Sequence, residues 1–394
     1  MTNKINIFKP FSASLFLLFA FLFISNAIFA YDPDNKPAVK SIGAINPEPS
    51  GENKKFNAGE LIMEHVSDAH EWHLWGHTSI PLPIIIFNKK TRSFDVFLSN
   101  RFEGGKKDYK GYRLVENKVS VADDIAMQPE DTVDSEKTDS TAGLIDLSIT
   151  KNVASLFISL ILMLWIFISV AKAYTRNPGK APKGMQSLFE PIIIFVRDDI
   201  AKSSIGEKKH KKYLPFLLTV FFFIWINNLM GLIPIMPGGA NVTGNIAIGL
   251  VLATIVFVIT LITANKHYWR HIIAMPGVPV GILVLLTPIE IFGMFLKPFV
   301  LMIRLFANML AGHIIALSFF SLIFIFAEMN TGLGWGVGVF SVAFTIFMGM
   351  LELLVCFLQA YVFTLLAAMY FGSAIDEGHD THNHHDDNDH ARNF

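Results

Sequence analysis

Cysteine is nearly absent from this chain. A single thiol, Cys356, occurs in 394 residues, which excludes an intrachain disulfide, and its apolar surroundings read as those of a small hydrophobe. No G-x-x-x-x-G-K-[ST] loop is present, so nothing in the sequence cradles nucleotide phosphates. Nor is there an internal repeat. Charged residues make up only 16% of the chain, and the net charge of -1 says little because the two signs are segregated along it.

Apolar residues are abundant instead. They account for 52% of the chain, 36 of them Phe, with a mean hydropathy of +0.45, the composition of a membrane protein carrying a soluble portion. Residues 1–30 place Lys4 and Lys9 before an apolar run from Phe11 to Ile24 and small residues at Ser25, Ala27 and Ala30, the layout of a signal peptide. An uncleaved anchor is the alternative, and either way residues 31–150 are expected to be exported. Within them Pro81 to Asn100 reads as a hairpin about a polar turn, and the acid-rich stretch from Val121 to Asp146 as a linker. His65, His70, His73 and His77 cluster beside Trp72 and Trp75. A shared helix face of His73 and His77 would suit a metal, but surface histidines are the plainer expectation.

Membrane spans are expected at Asn152 to Ala171, Leu214 to Ile233, Ile246 to Ala264, Thr287 to Ala327 and Val337 to Phe371. Met185 to Ile200 mixes apolar and charged residues like a helix lying at the interface. The expected class is therefore an all-α membrane protein of five spans and one interfacial helix, with a small exported domain containing a β-hairpin. Residues 172–212 and 266–270 hold twelve Lys or Arg, while 234–245 and 328–336 hold none, which puts the former in the cytoplasm. The N-terminal domain is then outside. The His- and Asp-rich tail of residues 373–394 is expected as a solvated cytoplasmic segment.

The stretch from Thr287 to Ala327 organises the rest. Thr287, Pro288 and Glu290 form a helix-start signature, Thr as cap and Glu at the capping-box position. Glu290, Lys297 and Arg304 follow at intervals of seven, one drifting row of a helix, with His313 about half a turn round from Arg304. An intramembrane charge costs roughly 2.5–3.5 kcal/mol on insertion scales. Snorkelling to the headgroups would relieve it, but Arg304 lies about 25 Å of helix beyond Thr287. Its guanidinium stays charged at any accessible pH, so it is a fixed cation and not a proton carrier.

On the last span Glu352 and Gln359 share a face, and no other charge falls between Glu328 and Asp376. With Asn228, Asn245 and His313 these residues form either a polar proton path or a set of unrelated interhelical hydrogen bonds. At 35 residues, about 52 Å, the last span is too long to cross a hydrocarbon core of about 30 Å upright. Two oblique helices of this kind are expected to fit a curved partner.

FLKPFVLMIRLFANMLAGH, followed by LQAYVFTLL and preceded by NNLMGLIP, closely resembles subunit a of the F-type ATP synthases. The resemblance covers about residues 150–372, and the exported domain is similar to extended Gram-negative forms. It implies a proton-conducting stator subunit of the F0 sector in the bacterial inner membrane, with no cofactor, metal or ATP site of its own. Implied partners are a c-ring of proteolipids, the subunit b stalk, F1 indirectly and the bilayer, with no nucleic acid. By position, Arg304 matches the essential arginine, with Gln359 and Asn308 near it. Glu352 and His313 look like the acid and imidazole of the outer half-channel with their places exchanged. Asn228 and Asn245 match polar positions there, Glu290 and Lys297 lie on the cytoplasmic side, and Gly231, where some relatives have Asp, is expected to contribute nothing. A self-contained proton-coupled secondary transporter is the alternative reading, although such folds carry matched halves.

Overall fold

The computed structural model describes Gly59, residues 67–121 and residues 144–376, apart from 76–77, 90, 106, 116, 177, 234–238, 241, 274, 276–277 and 330. The expected signal peptide, His65, His77 and all but the first residues of the tail lie outside the described residues.

The N-terminal domain is built from short antiparallel ladders: β1 (Glu71–Trp75), β2 (Thr78–Pro81), β3 (Pro83–Asn88), β4 (Ser93–Leu98), β5 (Tyr112–Val115), β6 (Lys118–Val121) and β7 (Leu144–Asp146). The expected hairpin is β3 and β4, with Ile85 opposite Val96 and Phe87 opposite Phe94, and β7 adds to its other edge. Alternation sends Ile84 and Ile86 into a small core with Phe97, Phe102, Tyr112, Val119 and Leu144. His73 lies in β1, a strand and not a helix. His70, expected at the surface, is buried, with Nε2 3.6 Å from Asp146. Among the described residues no three His, Cys, Asp or Glu side chains group as metal ligands.

Burial disfavours ionisation of Asp146, but the His70 imidazole and the Ser148 hydroxyl and backbone N–H outweigh it, and its carboxyl is held below the ordinary 3.8. Asp95 is lowered likewise, chiefly by its hydrogen bond from Lys110. A carboxyl depressed in the fold stabilises it above the unfolded pKa and loses that stabilisation as pH falls through the folded one. Hydrogen-exchange protection of β3, corrected for intrinsic rates, should therefore drop as pH falls below 3.8. Asp146→Asn should blunt that drop.

The membrane region follows with α1 (Lys151–Arg176), α2 (Met185–Phe195), α3 (His210–Leu232), α4 (Ile246–Thr263), α5 (Lys266–Ile273), α6 (Val280–Met329) and α7 (Thr331–Ile375). Five of these, α1, α3, α4, α6 and α7, are long and apolar enough to cross a membrane. Asp68 accepts from the Asn152 N–H, setting an anionic side chain on the positive end of α1 and joining the small domain to the first span. α2 forms in the stretch expected to lie at the interface, and it continues through a π-helical segment, Val196–Lys202. The core is aromatic and aliphatic, centred on α3, where Phe221 and Phe222 are fully buried and meet Phe167, Phe189 and Phe357.

α6 starts earlier than the sequence implies. It begins at Val280, and Thr287 is no cap: its hydroxyl donates to the Ile273 carbonyl at the end of α5. Apolar residues before Thr287 extend the helix, and Pro288 and Pro298 are carried inside it. With 50 and 45 residues, α6 and α7 measure about 75 and 68 Å, more than twice a hydrocarbon core of about 30 Å, so neither fits across one upright. They pair antiparallel along their length.

The far end of α7 is tightly held. Asn265 donates its backbone N–H to Ala374 and its side-chain amide to Asp376, while Lys209 donates to Ile375. These donors satisfy the carbonyls that a helix C-terminus leaves open. Gly372 admits the Ser203–Ile205 turn, because a Cβ there would lie 3.0 Å from the Ser204 carbonyl carbon.

Candidate functional site

The antiparallel pairing of α6 with α7 sets the site's geometry. As residue numbers fall along α6 their partners rise along α7: Gly312 meets Glu352, Asn308 meets Gln359, Lys297 meets Tyr370, and Met294 packs with Ala374. Arg304, Asn308 and Gly312 are spaced by four on α6, hence on one face. On α7 the matching row is Glu352, Cys356 and Gln359. One seam therefore brings Asn308 and Gln359 together, with Glu352 beside Gly312.

At the centre, Asn308 donates to the Gln359 side-chain oxygen at 2.8 Å. Gln359 is buried and its amide nitrogen has no partner among the described residues. Arg304, one turn away, is half-buried and forms no ion pair among the described residues. Around it the helices present an open apolar surface, including Phe299, Val300, Ile303, Leu354 and Leu358. A permanent cation is thus held at a bare hydrophobic face.

Toward one end of the seam, the Glu352 carboxyl rests on Gly312, where a Cβ would come within 3.1 Å of Cδ. One Glu352 oxygen is buried without a hydrogen-bond partner among the described residues. His313, the next residue, turns toward α3, its Nε2 only 3.6 Å from where Gly231 would carry a Cβ. Gly231, expected to contribute nothing, leaves room first for the Met309 methyl, which a Cβ there would meet at 3.0 Å, with the imidazole at ordinary contact distance beside it. Asn228 is buried one turn earlier and accepts from the Thr243 hydroxyl at 2.6 Å. Asn245 caps α4, its side-chain oxygen accepting from the Ala247 N–H, so that oxygen is committed.

Two buried polar residues here escape a sequence reading. Thr243 and Asn227 sit beside the expected residues, and Asn227 donates back to the Phe223 carbonyl, leaving its oxygen without a partner among the described residues. The Asn227–Asn228 pair in an otherwise apolar span was the available signal.

Toward the other end lie Lys297 and Glu290, seven and fourteen residues before Arg304. The Lys297 ammonium stands 5.8 Å from the Tyr370 ring centroid. Burial pushes the Tyr268 phenol of α5 upward, and the Glu290 charge adds to it.

These features coincide with a family match. Residues 153–372 fit a family described as ATP synthase A chain, and residues 61–147 fit a domain of unknown function. Over 246 residues the chain is 44% identical to ATP synthase subunit a 2 of Chlorobaculum tepidum, spanning 60% of this chain and 66% of that one. It is 39% identical over 251 residues to ATP synthase subunit a of Chloroherpeton thalassium, 61% and 72% of the two. With ATP synthase subunit a of Myxococcus xanthus it shares 39% over 255 residues, 63% and 78%. About two thirds or more of each relative is thus matched, and the family model itself covers the helices that carry the seam. The chain belongs to the ATP synthase A chain family, the proton-translocating stator subunits of the F0 sector.

Proposed function

We propose that Arg304 is the fixed cation that discharges the carboxylates of a rotating proteolipid ring, and that the seam holds the two half-channels on either side of it. The observation carrying this reading is the position of Arg304: between the Glu352 group and the Lys297 group, about 12 and 10 Å of helix away, with no counter-ion among the described residues. A desolvated guanidinium without an acid of its own favours the ionised form of one presented from outside. The apolar surface around it suits a ring of helices better than water.

In this mechanism a proton enters past Asn228, Asn245, His313 and Glu352 and neutralises a ring carboxylate, whose uncharged form crosses lipid at tolerable cost. On meeting Arg304 the carboxyl releases its proton toward Lys297 and Glu290. Gln359 and Asn308, bonded to each other, hold the polar wall beside the guanidinium. Because Arg304 cannot be neutralised, it repels protons and blocks a direct leak between the half-channels. Each proton carries about 2.3 kcal/mol per 100 mV.

The domain assignment and orientation belong to the same reading. Residues 1–30 serve as a signal peptide, 31–150 as a periplasmic domain, 151–372 as the membrane unit and 373–394 as a cytoplasmic tail. The positive-inside rule sets this orientation in the inner membrane. The partners are the c-ring, the subunit b stalk and, through it, F1. Asn308→Cys tests the ring interface: it should crosslink to a cysteine beside the ring carboxylate, and labelling by lipid-soluble reagents alone would contradict it.

A further inference from the structure

In the N-terminal domain, the sheet face turned away from the small core is apolar throughout. Residues opposite each other in an antiparallel ladder share a face, so the register sorts the side chains into rows. Phe87 lies between Phe94 and Ile145, and Ile85 faces Val96. The chain after β7 continues the ladder, since the Leu147 and Ile149 N–H groups donate to the Ile85 and Pro83 carbonyls. That sets Leu147 beside Ile85 and Ile149 beside Pro83, with Leu98 across from Pro83. These rows contain no polar side chain, and none of their residues belongs to the core. Phe94, Val96 and Leu98 are 65, 61 and 46% exposed. An antiparallel sheet with one face in water alternates apolar and polar residues. This sheet, already packed through Ile84 and Ile86 on its other face, does not, so the outer face is built to meet something other than water.

Area and place decide what covers it. Three strands about 4.8 Å apart and six residues of about 3.4 Å give a footprint of about 300 Å². A stable protein partner needs about 800 Å² a side. The row of Ile149, Pro83 and Leu98 ends two residues before Lys151, where the first span begins. A bilayer is therefore always at hand, and a tethered surface binds with little area because its effective concentration is high. The charge agrees: the β3–β4 turn runs Asn88, Lys89, Lys90, Thr91, Arg92, three cations and no acid. We propose that this face is a membrane seat. Its apolar side chains rest at the boundary of headgroups and acyl chains, in the leaflet on the N-terminal side of α1, with the turn's cations on anionic phospholipid headgroups. The inference rests on α1 crossing the bilayer and not on the role of Arg304. Seated so, the domain fixes the depth of α1 through the Asp68 carboxylate that accepts from the Asn152 N–H.

The test puts a fluorophore on Val96→Cys in the assembled complex, held one complex per nanodisc of phosphatidylcholine and phosphatidylglycerol. The native thiol, Cys356, is buried. Lipids carrying a nitroxide high on the acyl chain should quench the label. Aqueous iodide should quench it several-fold less than the same label on Lys107→Cys, an exposed position bonded to the Phe102 carbonyl on the core side of the sheet. Phe94→Ser combined with Leu98→Ser should return the Val96→Cys label to water. Lys89→Glu combined with Arg92→Glu should do so in part, and only where phosphatidylglycerol is present. A Val96→Cys label open to iodide and untouched by nitroxide lipid would overturn the proposal. So would a shielded label that nitroxide lipid does not reach, because another protein then covers the face, and so would shielding that appears only with two complexes per disc, because the occupant is then a second copy.

Discussion

Arg304→Ala should abolish proton-driven ATP synthesis while the complex still assembles. The packing reason is that Arg304 is half-buried on an open face, so its removal leaves no cavity in the aromatic core around α3. The electrostatic reason is larger. An intramembrane charge costs roughly 2.5–3.5 kcal/mol on insertion scales, and this one is met by no carboxylate among the described residues. Its removal would stabilise the isolated subunit and take away the field that ionises an arriving acid. Arg304→Lys should fail as well, since a flexible point charge does not reproduce a planar, five-donor guanidinium beside Asn308 and Gln359. ATP synthesis in energised vesicles, with assembly checked by co-purification, measures both variants.

Glu352→Gln should cut proton uptake on the order of a hundredfold, the lower range for removing a positioned proton donor and acceptor. Its carboxyl sits against the backbone at Gly312, beside His313, with one oxygen unpartnered among the described residues, so an amide fits the same space without carrying a proton. His313→Ala should give a smaller loss and open room beside Gly231. The comparison is made by proton flux from the outer side in vesicles stripped of F1. Equal flux in wild type and Glu352→Gln would put the inlet elsewhere.

Much of this site is visible before any coordinates exist, for physical reasons particular to membranes. Arg304 and Glu352 stand out because a charge in an apolar run is costly and rare, and the sevenfold spacing of Glu290, Lys297 and Arg304 places them on one helix row unaided. Span number follows from apolar length alone. What sequence could not supply is contact. Nothing in the letters says that Gly312 and Gly231 matter, because a glycine's role here lies in what fills the space it leaves. Asn245, expected in the channel, also caps α4, a contact that its letter alone does not announce. Thr287 looked like a cap and lies inside α6, because the apolar residues preceding it prolong the helix. His70 looked superficial, and Asp146, far along the chain, draws it inward.

Proton conduction through F0 with its ring immobilised probes the role of Arg304 most directly. With the ring fixed to the stator by the Asn308→Cys crosslink, vesicles stripped of F1 should not conduct, because no carboxylate can move between the half-channels. Adding Arg304→Ala should restore a passive leak across the locked interface, as water and protons cross the seam where the cation stood. Conduction in the locked complex with Arg304 intact, or no leak after its removal, would contradict its role as the barrier.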